Sequence, residues 1–161
     1  MMKALALAVL VLNLFSFQQS FAGGFPMEPN QRMTPGQLCA NPNSHRYPEK
    51  IAYCNRDVSP ALKRQIIENY DRVLGFNIEI MPRKQFKIDH YIPLCVGGSN
   101  DITNLWPQHE SVYKITDSLE EAVCQKMSEG KLLQKDAVRL IIGTKNDLAK
   151  APEVLAYVHG L

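Results

Sequence analysis

Four cysteines, and the segment that precedes them, set the tightest limit on what this chain can become. The sequence starts Met1-Met2-Lys3, runs apolar from Ala4 to about Phe17 and reaches the small-residue pattern Ser20-Phe21-Ala22. A charged start, an apolar middle and a small-residue end are the layout of a secretory leader, so residues 1–22 are expected to be a signal peptide cut after Ala22. A membrane span needs about 20 apolar residues; Asn13, Gln18 and Gln19 interrupt this run, and anchoring after cleavage is not expected. Export would deliver Cys39, Cys54, Cys95 and Cys124 to an oxidising compartment, secreted or periplasmic, where two disulfides are the default. Three pairings are open. We favour Cys39 with Cys54, the near neighbours in sequence, leaving Cys95 with Cys124, although sequence alone does not decide between them. No C-x-x-C spacing is present to favour a four-thiolate zinc site.

Without the leader, 139 of the 161 residues remain, a length that suits one compact domain with a real core. Lys3 is the one charge lost, leaving 17 basic against 16 acidic side chains, a net charge of +1. Bulk electrostatics therefore does not announce a nucleic-acid binder, and any affinity for phosphate must come from local clustering.

Residues 23–50 carry Pro26, Pro29, Pro35, Pro42 and Pro48 and read as an irregular arm, with residues 51–161 as the domain proper. Ser59 as cap, Pro60 in the first turn, an apolar stripe at Leu62, Ile66, Tyr70 and Val73, and Gly75 as stop predict a helix. "FNIEIM" (76–81) and "FKIDHY" (86–91) alternate apolar with polar residues, which predicts two half-buried strands. After the turn "GGSND", residues 102–106 are expected to pair back as a strand that Pro107 ends. Val112, Ile115, Leu119, Val123 and Met127 predict an amphipathic helix over about 110–128. A further helix begins near Leu133, and a short one spans 152–157. The class is α+β.

The chemistry concentrates at Asp89-His90. A carboxylate is a hard oxygen ligand for a Mg²⁺-like cation, and a neutral imidazole is the commonest general base near pH 7. Strict alternation would send the two side chains to opposite faces and place His90 beside Phe86 and Ile88. Pro93, three residues on, stops regular pairing, so the strand end can twist both side chains toward one cleft. Otherwise His90 is a packed, hydrogen-bonded core residue. Arg83, Lys84 and Lys87 form a local basic patch close in sequence to this Asp-His pair, with Lys63 and Arg64 on the preceding helix; it is either ordinary surface charge or a patch that meets an anionic ligand. Trp106 is expected to pack in the core, and Gly97-Gly98 to make a tight turn.

The stretch "IDHYIPLCVGGSNDITNLWPQ", residues 88–108, resembles the HNH endonuclease family. The ββα-metal finger of that family reads Asp-His, then Ile/Val-Pro-Leu, a Gly-Gly turn and Asn-Leu on a second strand. "SPALKRQIIENY" and "LEEAVCQKMSEGKLLQKDAVRLI" look like the flanking helices of secreted members. The resemblance implies a disulfide-stapled finger embedded among helices, with Asp89 as metal ligand, His90 as the base that deprotonates water, and Asn104 tying down the loop and helping to orient the histidine. It implies a divalent ion, Mg²⁺ foremost with Mn²⁺, Zn²⁺ or Ni²⁺ as alternatives. The activity implied is hydrolysis of DNA, or of RNA, with little sequence preference, by a monomer.

The third family position, a ligand on the helix, departs from the pattern. Nine residues after Asn104 stands Tyr113, a poor ligand for Mg²⁺. His109 at the helix start and Asp117 one turn beyond Tyr113 are the candidates. Asp117 lies in "TDSLE", similar to a "KDxLE" segment of secreted relatives with Thr116 in place of the lysine. The alternative expectation is a catalytically impaired HNH-fold module of the cell envelope that binds nucleic acid without cutting it.

Overall fold

The computed structural model describes residues 24–161, and the expected signal peptide lies outside the described residues. The chain from Gly24 wraps the surface and gains its first regular structure in a short antiparallel hairpin, β1 (Ser44–Arg46) with β2 (Ile51–Tyr53). This hairpin straddles residue 50, the border expected between arm and domain. Part of the proline-rich segment is thus built into the fold. Leu38 forms a single bridge to Gly98, and the Cys39–Cys54 disulfide fastens the segment, as favoured from the sequence.

Helix α1 (Pro60–Leu74) forms as its end signals predict. Ser59 Oγ accepts the Leu62 N–H at 3.1 Å, and Gly75 ends the helix with a left-handed φ of 76°. The strand expected over 76–81 does not form. The Asp71 carboxylate accepts the N–H groups of Ile78 (2.8 Å) and Glu79 (3.0 Å), and residues Ile78–Ile80 coil into a 3₁₀ turn. Backbone donors satisfied locally have no need of a ladder.

Strand β3 (Phe86–His90) pairs antiparallel with β4 (Leu105–His109), with Phe86 opposite His109 and His90 opposite Leu105. The return strand starts three residues later than expected. Asp101 caps a 3₁₀ turn over Ile102–Asn104, and its carboxylate accepts the Thr103 N–H at 2.9 Å. Pro107 lies inside β4, opposite Ile88, instead of ending it. In a two-stranded sheet each strand keeps one unpaired edge, and there a missing N–H breaks no ladder. Between the strands, Gly97 takes φ 90°, and a Cβ at Gly98 would run into the Ile92 carbonyl. These glycines make the turn.

Helix α2 (Glu110–Ser128) follows β4 directly and matches the predicted span; α3 (Gln134–Lys145) and α4 (Ala151–His159) complete the chain. The described residues thus give a mixed α and β protein with four helices, two small antiparallel sheets and two disulfides. One apolar cluster joins α1 to the β3–β4 hairpin through Ile66, Tyr70, Phe86, Ile88, Leu105 and a fully buried Trp106. The other joins α2, α3 and α4 through Leu119, Val123, Met127, Ala137, Ile141 and Val158. Each fully buried Val, Leu, Ile, Phe or Met side chain among them contributes about 1.5–3 kcal/mol. The Cys95–Cys124 disulfide links the loop after β3 to α2, so the end of β3 is held between the two clusters.

Candidate active site

At the end of β3, Asp89 meets two acids from α2. Asp117 and Glu120 are three residues apart and share a helical face. Together with Asp89 they offer carboxylate oxygens that all lie within 4.8 Å of one another. Asp89 is buried, Glu120 half-buried and Asp117 exposed.

Two lysines balance this charge. Lys87 Nζ lies 3.2 Å from Asp89 Oδ2 and 2.6 Å from Asp117 Oδ1, and sits over the Tyr113 ring. Lys145, from the last turn of α3, is buried. It pairs with Glu120 at 2.6 Å and donates to the His90 carbonyl at 2.6 Å. Burial alone would raise Asp89, but Lys145 and Lys87 outweigh it and hold the carboxyl below the usual carboxylate range. Glu120 goes the other way: burial raises it, the Asp89 charge adds to the rise, and Lys145 offsets only part. Two buried oxygens of the cluster, Asp89 Oδ2 and Glu120 Oε1, make no hydrogen bond among the described residues despite the nearness of Lys87 and Lys145.

The His90 side chain is buried, only 2% exposed. Its ring nitrogens face polar groups from two loops: Nε2 lies 3.1 Å from Asn100 Oδ1, and Nδ1 lies 3.4 Å from an Arg56 guanidinium nitrogen. The Asn100 amide cannot turn over without losing its bond to the Asn55 carbonyl, which accepts from Nδ2 at 2.7 Å. An amide oxygen only accepts, so Nε2 carries the proton and Nδ1 keeps the lone pair. Burial pushes the ring down to about 4; Arg56 adds to the fall, while the Asn100 bond and Asp89 oppose it. The imidazole is therefore neutral at pH 7. The expected convergence is indirect. Among the described residues no hydrogen bond joins the His90 ring to the three carboxylates, and Lys145 ties Glu120 to the His90 backbone carbonyl and not to the ring.

The other residues singled out from the sequence divide. Asn104 is fully buried and ties down the loop after β3: its Oδ1 accepts the Ile92 N–H at 2.9 Å, and its Nδ2 donates to the carbonyls of Ile92 (3.0 Å) and Ser99 (2.9 Å). It does not touch the His90 ring, which Asn100 holds instead. His109 is not brought to the acids. It sits opposite Phe86, three residues or about 10 Å of strand from the partner of Asp89. There its ring stacks on Phe25 at 3.6 Å, and its Nδ1 accepts the Ser111 N–H as the cap of α2. Of the basic patch, Lys87 is drawn into the acid cluster, Arg83 donates to the Phe86 carbonyl at 2.6 Å, and Lys84 is exposed. An open cleft of about 460 Å³ beside α1 lies elsewhere; its charged lining is Glu68, Asp71 and Glu79 against the single cation Arg72, a poor seat for a polyanion.

Sequence reasoning missed Glu120, Asn100, Arg56 and Lys145. Glu120 had a signal, its i, i+3 spacing from Asp117 on a helix already predicted. Asn100 lies in the Gly-Gly turn already singled out but carries no local mark of a partner of His90, and Arg56 and Lys145 come from remote segments. Comparison of the chain with protein-family models, with curated proteins and with solved structures finds no match.

Proposed function

We propose that the protein is an extracytoplasmic, metal-dependent phosphodiesterase of the HNH endonuclease type, with β3, β4 and α2 as its ββα-metal finger, cutting DNA, or RNA, with little sequence preference. The observation that carries the reading is the adjacency on one strand end of a neutral histidine and a buried carboxylate grouped with two more from the following helix. Two disulfides and the expected leader support location outside the cytoplasm.

The donor set fits a hard divalent ion. Three carboxylates supply the oxygen ligands that Mg²⁺ or Mn²⁺ takes, and two of those oxygens, Asp89 Oδ2 and Glu120 Oε1, are buried without a hydrogen bond. With no imidazole or thiolate in the set, Zn²⁺ and Ni²⁺ are disfavoured. Asp89, Asp117 and Glu120 would hold the ion, with Asp117 filling the helix position that Tyr113 cannot. When bound, such an ion stabilises negative charge growing on phosphoryl and leaving oxygens.

The remaining chemistry belongs to the chain. His90 accepts the proton of the attacking water at Nδ1, its neutral form being the one populated at pH 7. Asn100 fixes the tautomer, Asn104 fixes the loop, and Lys145 anchors the His90 carbonyl and Glu120 together. Arg83 and Lys84 precede β3 at the Phe86 end of the hairpin, and a bound strand running along it would bring flanking phosphates within their reach.

A binding module without cleavage is the second reading, and one observation favours it: Lys87 already neutralises Asp89 and Asp117. Plasmid DNA incubated with the purified protein and Mg²⁺ or Mn²⁺, with and without chelator, beside His90→Ala, separates the two. Metal-dependent nicking lost in the variant supports the enzyme; retention of plasmid without nicking under either metal supports the module.

A further inference from the structure

We infer that Arg56 is the phosphate-gripping residue of this site, a guanidinium placed against the proton-accepting nitrogen of His90 to hold the phosphodiester that the activated water attacks. The inference rests on the phosphodiesterase reading above and adds a substrate contact to it.

Arg56 is exposed, in the connection between β2 and α1. One guanidinium nitrogen donates to the Ile88 carbonyl at 2.9 Å; the other stands 3.4 Å from His90 Nδ1, longer than a well-made N–H···N contact. The first bond fixes the fork, and the second is loose enough for a ligand to replace. Among the described residues no carboxylate pairs with Arg56, which is equally true of Arg83, Lys84 and several other surface cations; what sets Arg56 apart is that its unpaired charge stands against the His90 ring. A guanidinium carries five N–H donors, and the Ile88 and His90 contacts leave most of them for an oxyanion. Its planar fork matches the two non-bridging oxygens of a phosphodiester.

The placement is reinforced from outside the hairpin. Arg56 follows Cys54 by two residues, so the Cys39–Cys54 disulfide holds its segment, and the intervening Asn55 carbonyl accepts from Asn100. Three separate segments thus meet at His90: one supplies the ring, one the tautomer lock, one the cation. A residue whose task was only to clamp the Ile88 carbonyl would need neither the ring contact nor an unpaired positive charge.

The test is binding of a 20-base-pair DNA duplex in EDTA, where no cutting occurs, across a salt series, for wild type, Arg56→Gln, Arg56→Lys and the distant Arg139→Gln. Arg56→Gln is expected to weaken binding about tenfold and to reduce the salt slope by about one phosphate contact. Arg56→Lys should keep the slope but recover only part of the affinity, because the fork is gone; Arg139→Gln should bind as wild type. If Arg56→Gln does not fold, the ¹⁵Nε resonance of Arg56 in wild type still reports: a shift on adding duplex supports the contact, and an unmoved resonance in a protein that binds DNA overturns it. Equal affinity and slope for Arg56→Gln and wild type, in a protein that cuts DNA with metal, overturns this inference alone. Wild type that neither binds in EDTA nor cuts with metal overturns the phosphodiesterase reading with it.

Discussion

Asn100 Oδ1 lies 3.1 Å from His90 Nε2, and the Asn55 carbonyl holds the amide in that orientation. One nitrogen of the ring is thereby committed as a donor and the other freed to accept. Asn100→Ala should release this lock. Cleavage is expected to fall about tenfold, with stability reduced by about 1 kcal/mol for the lost hydrogen bond. Ring ¹⁵N shifts of His90 read the tautomer directly; an unchanged Nε2–H signature in the variant would contradict the assignment.

Stability should fall with acid through His90. The folded ring has a pKa of about 4 against an ordinary 6.5. Above 6.5 neither state is protonated; between 6.5 and 4 the unfolded chain takes up a proton that the folded ring refuses, so the folded state loses ground as pH drops. The full effect is on the order of 3 kcal/mol. Asp89, held low, adds a loss at still lower pH as its folded carboxylate is finally protonated, while Glu120, held high, acts in the opposite sense above the ordinary carboxylate range. His90→Gln isolates the first contribution. Urea midpoints measured from pH 7 to pH 4.5 should decline more steeply for wild type than for the variant, and parallel curves would refute the shift.

Lys87 competes with any ion for Asp89 and Asp117. Its side chain is 35% exposed, so solvent screens the pair, but removing the ammonium still favours a second cation in the same place. Lys87→Met is expected to tighten Mn²⁺ binding about tenfold by calorimetry. Weaker binding in the variant would mean that the lysine assists the ion instead of opposing it.

Lys145 is a buried cation between Glu120 and the His90 carbonyl. Taking away one partner of a buried pair costs about 3–5 kcal/mol, because the other is left uncompensated. Lys145→Met should destabilise by about that amount, and adding Glu120→Gln should recover part of it. A double-mutant cycle in urea measures the coupling; purely additive losses would show that the pair does not act together.

The legible and illegible parts of this molecule differ in range along the chain. Helix α1 was readable from Ser59, Pro60 and Gly75, and α2 from its apolar spacing, because caps and periodicity are local. The β3–β4 hairpin was readable for the same reason, with its second strand misplaced because Asp101 captures the first residues of the return. Residues 76–81 show the limit. Their alternation is that of a strand, but the Asp71 carboxylate, on the preceding helix, takes the amides a ladder needed. At the site, Asp89, His90 and Asn104 stood out because they are close in sequence. Asn100 lies within the same stretch, in the turn, where no local pattern marks it as a partner of the ring; Arg56 and Lys145 act on His90 from a loop and a helix end that only folding brings near, and His109 is a candidate ligand by sequence that the hairpin register carries to the far end.

The central claim is that the acids hold a divalent ion while the neighbouring imidazole does the proton chemistry, and one paired measurement tests it: Mn²⁺ affinity and plasmid nicking, side by side, for wild type, His90→Ala and Glu120→Gln. The account predicts that His90→Ala keeps its Mn²⁺ affinity and loses nicking by about a hundredfold or more, while Glu120→Gln loses both. Nicking that survives in His90→Ala, or Mn²⁺ affinity unaltered in Glu120→Gln, would contradict it.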